Sequence, residues 1–387
     1  MALDFPPGTP GATTPGPGGV VWQWDGVKWI ALSSGAASYL PTSGGTLTGP
    51  LILAADPLPT APLGAATKQY ADAGSAAAEH NVGRNVLHNG LMNVTQRGTG
   101  PWTTNGAYTA DRWIMGLGAG DANSVAIVAV ADSNRAQIGD EAAQSMLLNQ
   151  FTGAAGASNY AFFNQPIENV RRLANKTVTV SFWATASAAG MKLGVSVDQG
   201  FGTGGSPSGA VLGSGQAVTL TTVFSRYTVT FTLPSVAGMT LGTNGNSATS
   251  LNFWLSAGSN NATRSGNVGV QSGNIWLWGV QLELGGTATP LEKLDPRVDL
   301  ANAQRFYQVG ALYFSAYSAA GIALAFSMTL SEEMRATPTM NFASPSFSNL
   351  SGAAIAALNA TGFYVTGTAI GAAACVWNSG YSASADL

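Results

Sequence analysis

The chain has 387 residues and only 9% charged side chains, where an ordinary soluble domain has about a quarter; 16 Lys and Arg against 19 Asp and Glu leave a net charge of −3. That length suffices for roughly two or three domains with at least one sizeable core, and the near-balance of charge removes the electrostatic reason to bind nucleic-acid phosphates or an anionic bilayer. Membrane insertion is not expected either, because the most apolar stretch, "GIALAFSMTL" at 321–330, is shorter than the about 18 residues a spanning helix needs.

At the N-terminus "MALDFPPGTPG" carries neither a basic n-region nor an apolar h-region, so no secretory leader is expected. The single Cys375 excludes an intrachain disulfide framework and a cysteine metal site. The expectation is a soluble protein made in a reducing compartment. Its charge is replaced by Ser, Thr, Asn and Gly, which suits strands, turns and surfaces buried against other copies of the chain.

Residues 1–20 are too rich in Pro, Gly and Thr for regular structure. Next, "VVWQWDGVKWIAL" (20–32) reads as a hairpin turning at Asp25-Gly26. One hairpin cannot cover Trp22, Trp24 and Trp29. They are covered either by the proline segment, as a mini-domain, or by docking onto a larger protein, which is the reading preferred here. In 39–82 a strand-like "TLTGPLILA" precedes an Ala-rich helix with Ala66, Tyr70, Ala73 and Ala77 at near-heptad spacing. Such a helix is unstable alone, and its small residues suit three copies meeting on one axis. A flexible linker is the competing reading, but Leu47, Leu51, Ile52 and Leu53 argue against it.

Period-2 patterns follow. "KTVTVSFWA" (176–184), "RYTVTFTL" (226–233) and "LNFWLSA" (251–257) alternate, while "NIWLWGVQLEL" (274–284) is apolar on both faces, as in a central strand. With glycine-rich loops between them, these strands predict a two-sheet sandwich or jelly roll. "LDPRVDLANAQRFY" predicts a helix capped by Asp295, with Pro296 at its first position and Leu300, Ala303 and Phe306/Tyr307 on one face. The tail, 309–387, returns to strands such as "ALYFSAY" and "GFYVTG".

"YLPTSGGTLTGPLILAADPLPTAPLGAATKQYADA" closely resembles the shaft-and-neck module of tailed-bacteriophage fibres, a family also used by phage-like particles such as gene transfer agents. The matching positions are Gly44–Leu53, Asp56-Pro57 and Ala65–Asp72. "WQWDGVKW" is similar to the module by which such proteins attach to a virion. The segments at 85–115, 279–308 and 332–340 ("EEMRATPTM") resemble the distal part of the family, and 116–274 is the least recognisable. An aromatic that often precedes Gln-Arg-Gly in the family is Thr95 here.

The resemblance implies a mainly β, homotrimeric receptor-binding fibre of the virion, made in the host cytoplasm and acting at the host surface. Its expected parts are an attachment hairpin (1–38) anchored by Trp22, Trp24 and Trp29, a trimeric shaft and neck helix (39–82), a jelly-roll-like β-sandwich (83–294) and a small C-terminal β domain behind a short helix (295–387). The partners implied are two further copies, another virion protein and a host surface polysaccharide, with no nucleic acid. A purely structural virion component (head fibre, baseplate or tail decoration) is the alternative, and a polysaccharide depolymerase the third class.

No catalytic constellation stands out. His80 and His88 lie eight apart, and His88 fits a turn at "LHNG". Asp111, Asp121, Asp140 and Glu141 read as surface or turn acids, with Asp111 and Arg112 flanking a buried Trp113. No enzyme activity, cofactor or metal is expected. "GFGTGGSPSG" (200–209) lacks the Gly-Lys-Ser/Thr of a phosphate loop and, like "GSNNATRSGN" (258–267), reads as a sandwich loop. For glycan binding the candidates are the rings of Trp102, Tyr108, Tyr160 and Phe201 with Asn260, Asn261 and Arg264, each ring having core packing as its other reading. Rings, amides and hydroxyls suit a neutral sugar, so binding should depend little on salt.

Overall fold

A computed structural model describes residues 8–15, 21–32, 83–118 and 120–387. The expected shaft and neck at 39–82 lie outside the described residues. The chain divides into two compact units, 1–75 and 76–387. Among the described residues no helix is long and apolar enough to cross a membrane.

In the first unit β1 (Thr13–Pro15), β2 (Val21–Trp24) and β3 (Trp29–Leu32) form one antiparallel sheet in that order. The hairpin is as expected, with the Asp25 carboxylate accepting from the N–H groups of Val27 and Lys28 at 2.8 Å. The proline segment is not wholly irregular, which corrects the reading of residues 1–20. Thr13–Pro15 can be a strand because Pro15 ends it on the sheet edge, where its missing N–H costs no ladder bond. Trp22, Trp24 and Trp29 are all half-buried, and a Cβ at Gly8 would come within about 3 Å of both Trp24 and Trp29. The proline segment therefore covers part of the tryptophan surface.

The second unit is mainly β. One five-stranded antiparallel sheet has the order β10-β9-β12-β7-β4, from β4 (Ile114–Leu117), β7 (Tyr160–Glu168), β9 (Lys192–Gly200), β10 (Gln216–Thr219) and β12 (Ala248–Ala257). The other has the order β11-β8-β13-β6-β5, from β5 (Ala122–Ala129), β6 (Ser145–Thr152), β8 (Thr177–Ala186), β11 (Ser225–Thr232) and β13 (Ser272–Leu284). The strand that reads apolar on both faces, β13, is the middle one. The inner faces meet in a single core. There Phe163 and Phe253 stack at 5.0 Å, Phe182 meets Phe253 edge-on at 5.1 Å, and Trp113 packs on both Phe163 and Phe253. Each such pair adds about 0.5–1.5 kcal/mol beyond the area buried, and truncating Phe253 to Ala would cost about 3–5 kcal/mol.

The outer face of the second sheet is capped. Helix α1 (Asp132–Ile138) brings Ile138 into a cluster with Val130, Met146, Phe224 and Trp278. Over part of the first sheet lies a short turn, α2 (Ala262–Ser265), touching β9, β10 and β12.

Helix α3 (Pro296–Gln304) follows, its Asp295 cap accepting from Arg297 N at 2.9 Å. Its packed face is the expected one at Ala303 and Phe306, both buried, and differs at Leu300. Leu300 is exposed, and Asp299 is buried in its place, its carboxylate accepting from Asn89 N at 2.9 Å. The remaining strands form two three-stranded sheets, β14-β19-β16 and β15-β18-β17. They comprise β14 (Tyr307–Ser318), β15 (Ala323–Thr329), β16 (Thr339–Ser348), β17 (Leu350–Asn359), β18 (Gly362–Ala369) and β19 (Ala373–Ser384). Leu312, Phe363, Val365, Cys375 and Trp377 form a core of their own. Residues 336–385 contain no charged side chain, yet Tyr313 is 69% exposed, Tyr317 77%, and Ile322, Phe347 and Ile370 are exposed too.

The seam between sandwich and C-terminal sheets is polar. Arg97 pairs with Asp111 at 3.3 Å and with Asp386, and lies 3.5 Å over the Tyr307 ring. Glu168 takes Arg305 at 3.0 Å and Arg335 at 3.4 Å. Asp111, read from sequence as a surface or turn acid, is buried, and so is Arg112 beside Trp113. Gln96 satisfies Asp111 through its backbone N–H at 2.6 Å and its side-chain amide at 3.0 Å, which makes that burial tolerable.

Candidate functional site

The first sheet carries its outward side chains in rows set by strand register. Asp198, Ser250 and Pro166 form one row, and Ser196, Asn252, Asn164 and Ile114 the next. A third row runs Gly194, Trp254, Phe162, Gly116. The glycines in that row have opposite tasks. A Cβ at Gly194 would sit 2.1 Å from Ser265 O, so its absence lets α2 settle on the sheet. A Cβ at Gly116 would sit 2.4 Å from Phe162 Cζ, so its absence lets the Phe162 ring lie flat across β4.

Tyr160 stacks on Phe162 at 5.4 Å with 26° between planes, and both rings are half-buried. Behind them Trp254 is buried; it donates from Nε1 to Ser196 Oγ at 2.9 Å and lies under Arg264, whose guanidinium is 5.0 Å from the ring. Arg264 also pairs with Asp198 at 2.7 Å, and Asn252 Nδ2 donates to the same carboxylate oxygen at 3.0 Å. The cation–π contact and the ion pair fix the α2 turn as a rim beside the rings. The result is a strip with two aromatic faces, flanked by the half-buried Asn164 and Ser250.

Of the residues singled out from sequence, Tyr160, Asn260, Asn261 and Arg264 gather at this end of the sheet. Asn260 donates from its backbone to Ala157 O and from its side chain to Ser158 Oγ, both at 2.8 Å, tying the 258–267 loop to the one leading into Tyr160. The other rings lie elsewhere. Trp102 is half-buried against the main core and bridges Val125. Tyr108 belongs to the seam, where its hydroxyl donates to Leu387 O at 2.7 Å; burial, then Asp386, pushes its pKa up to about 12. Phe201 needs correction as a ligand platform: it is 2% exposed, so neither ring face is open to a sugar. Sequence reasoning missed Phe162. Its signal is the pairing with Gly116, which is visible only once the register is known.

Among the described residues no group of three or more His, Cys, Asp or Glu is placed to hold a metal ion. No family model matches the chain, and no curated protein matches it. Solved structures give weak likenesses. The enzymatically active domain of tailspike protein 4 of bacteriophage CBA120 is 14% identical over 52% of this chain and 21% of that one, with a TM-score of 0.30. The match thus spans about a fifth of the length of that domain's chain. The family 11 carbohydrate-binding module of Clostridium thermocellum is 12% identical over 48% and 96%, with a TM-score of 0.30. A xylan-binding domain from Paenibacillus barcinonensis is 12% identical over 53% and 96%, with a TM-score of 0.28.

Proposed function

We propose that the protein is a phage-type fibre adhesin, a binding protein without catalytic chemistry, that holds a neutral host-surface glycan on the outer face of the β10-β9-β12-β7-β4 sheet. The observation that carries this reading is the open Tyr160–Phe162 stack beside Asn164 and Ser250. Aromatic faces take the apolar face of a sugar, while amides and hydroxyls bond its hydroxyl groups. The virion setting rests on the resemblance of the 44–72 and 85–115 segments to fibre proteins. Homotrimerisation is supported by the charge-free C-terminal sheets and their exposed Tyr313, Tyr317 and Ile370, apolar surface that further copies would cover. The same surface favours the second reading, a structural virion component packed against other virion proteins. Three weak sites on one axis would raise apparent affinity by about 10² or more.

The test is host-cell adhesion and glycan-array binding by the full chain and by Phe162→Ala and Tyr160→Ala. Both variants should lose adhesion with melting temperature nearly kept, since neither ring is in the main core. Unchanged adhesion in both would move the site elsewhere.

A further inference from the structure

Where the sandwich meets α3 there is a cavity of about 310 Å³, at the lower end of the roughly 300–1,000 Å³ in which small ligands are held. Its polar lining includes His88, Arg112, Glu168, Arg172, Asn302 and Arg305. Three guanidiniums therefore face one carboxylate, and that carboxylate is already shared between Arg305 and Arg335. The seam as a whole sets Arg97, Arg112, Arg172, Arg305 and Arg335 against Asp111, Glu168 and Asp386. On a chain whose net charge is −3, this is a local surplus of positive charge.

The donors are also underused. Arg112 is 2% exposed, lies 3.5 Å over the Phe306 ring and gives one hydrogen bond, from Nη2 to Pro166 O at 2.6 Å. Its Nε and Nη1 make none; the nearest acid to Nη1, Asp386 Oδ1, is 3.7 Å away. Burial lowers the Arg112 pKa to about 10, so it stays charged at neutral pH. Among the described residues the side chains of Arg172 and Asn302 make no hydrogen bond or ion pair. Nε and Nη1 of Arg112 are buried away from the cavity space, so Arg112 supplies charge through the wall, while the exposed Arg172 and the half-buried Arg305 can give charge-assisted bonds to a ligand carboxylate.

We propose that this cavity is a second ligand site, taking a single acidic sugar residue with its carboxylate held by Arg172 and Arg305 beside the buried charge of Arg112 and its hydroxyls on Glu168 and Asn302. Glu168 selects the ligand class: it repels a dianion such as phosphate and accepts hydrogen bonds from a polyhydroxylated monoanion. The size admits one sugar unit and not a nucleic-acid strand. The site is separate from the aromatic strip and goes beyond the neutral-glycan reading.

The experiment is saturation-transfer NMR on the full-length protein with sodium glucuronate and galacturonate, against glucose, acetate and inorganic phosphate at constant ionic strength. A uronate should bind saturably, at least about tenfold more tightly than glucose, acetate or phosphate, and weaken as NaCl is raised. Arg172→Ser and Asn302→Ala change side chains that support no other contact, so the fold is kept; each should weaken uronate binding, the arginine variant by about tenfold. Phe162→Ala should leave it unchanged, which separates failure here from failure of the strip. Glucose binding as well as uronate, phosphate or acetate binding equally well, or an Arg172→Ser variant with full uronate affinity would each overturn the proposal. Binding of free uronate but of no uronate-containing oligosaccharide would assign the site to the monosaccharide.

Discussion

Replacing His88 with glutamine should remove an acid-labile part of the protein's stability. The imidazole is half-buried, sits 5.7 Å from the Phe306 ring and shares its cavity with Arg112, Arg172 and Arg305. Burial first, then those three positive charges, lowers its pKa from 6.5 to about 3. Between those values the unfolded chain takes up a proton that the folded chain refuses. Stability from this group is therefore full above pH 6.5 and is lost progressively as the pH falls towards 3. At pH 4 roughly 2.5 units of the window have been crossed, which at 1.36 kcal/mol per unit is about 3 kcal/mol. Asp111, Asp299 and Asp386 have pKa values raised by burial and act the other way, their stabilisation being present at low pH and lost as pH rises through the folded values. They are common to both proteins and cancel in the comparison. Chemical denaturation followed by tryptophan fluorescence at pH 7 and pH 4 is the assay. The wild type should lose about 3 kcal/mol more than His88→Gln on acidification. Equal losses, or an imidazole that titrates near 6.5 by NMR, would refute the reasoning.

Gly116→Ala keeps every ring of the strip but puts a methyl 2.4 Å from Phe162 Cζ, so it should displace that ring and reduce adhesion with a melting shift of a few degrees at most; full adhesion would show that the ring's flat pose is irrelevant. Arg97→Ala strips the buried Asp111 carboxylate of its cation and leaves Asp386 to the more distant Arg112, and should cost about 3 kcal/mol by denaturant titration, whereas a loss under about 0.5 kcal/mol would mean the seam does not depend on this clasp. Light scattering should give roughly 118 kDa, three times the 39.3 kDa chain, and a monomer at micromolar concentration would end the trimer proposal. Removing residues 1–38 should leave a soluble protein that no longer joins particles; normal incorporation would clear Trp22, Trp24 and Trp29 of an attachment role.

The strands legible in the sequence are those with one dry face. Alternation marks β8, β11 and β12 because each puts every second residue into the sandwich core, and the doubly apolar β13 falls at the centre of its sheet. Residues 83–113 show no period, yet they supply Leu87, Met92 and Trp113 to the core. That segment is held by positive-φ turns at Asn89, Met92 and Arg112 and by the Asn89 side chain, whose amide donates to Val94 O and Asp111 O. Contacts of this kind join residues by geometry and leave no repeat to read.

The two candidate sites differ in the same way. Tyr160, Asn260, Asn261 and Arg264 could be chosen by residue type and loop composition, but "AFF" does not say which of Phe162 and Phe163 faces outward. Phe163 went to the core and Phe162 to the strip, as the pairing Phe162–Gly116 requires. The arginines of the seam are scattered from position 97 to position 335, so no window of sequence looks basic. Net charge is a sum over the chain, whereas screening confines a charge's influence to about 8–10 Å at physiological salt. A balanced total therefore argues against a broad basic surface and is silent about three guanidiniums in one cavity. The consequence is measurable in adhesion itself. Contact through the Tyr160–Phe162 strip should be nearly indifferent to salt, while contact through the Arg112 cavity should weaken with it. The salt profile of wild-type adhesion, compared with those of Phe162→Ala and Arg172→Ser, thus reports which site the host surface engages.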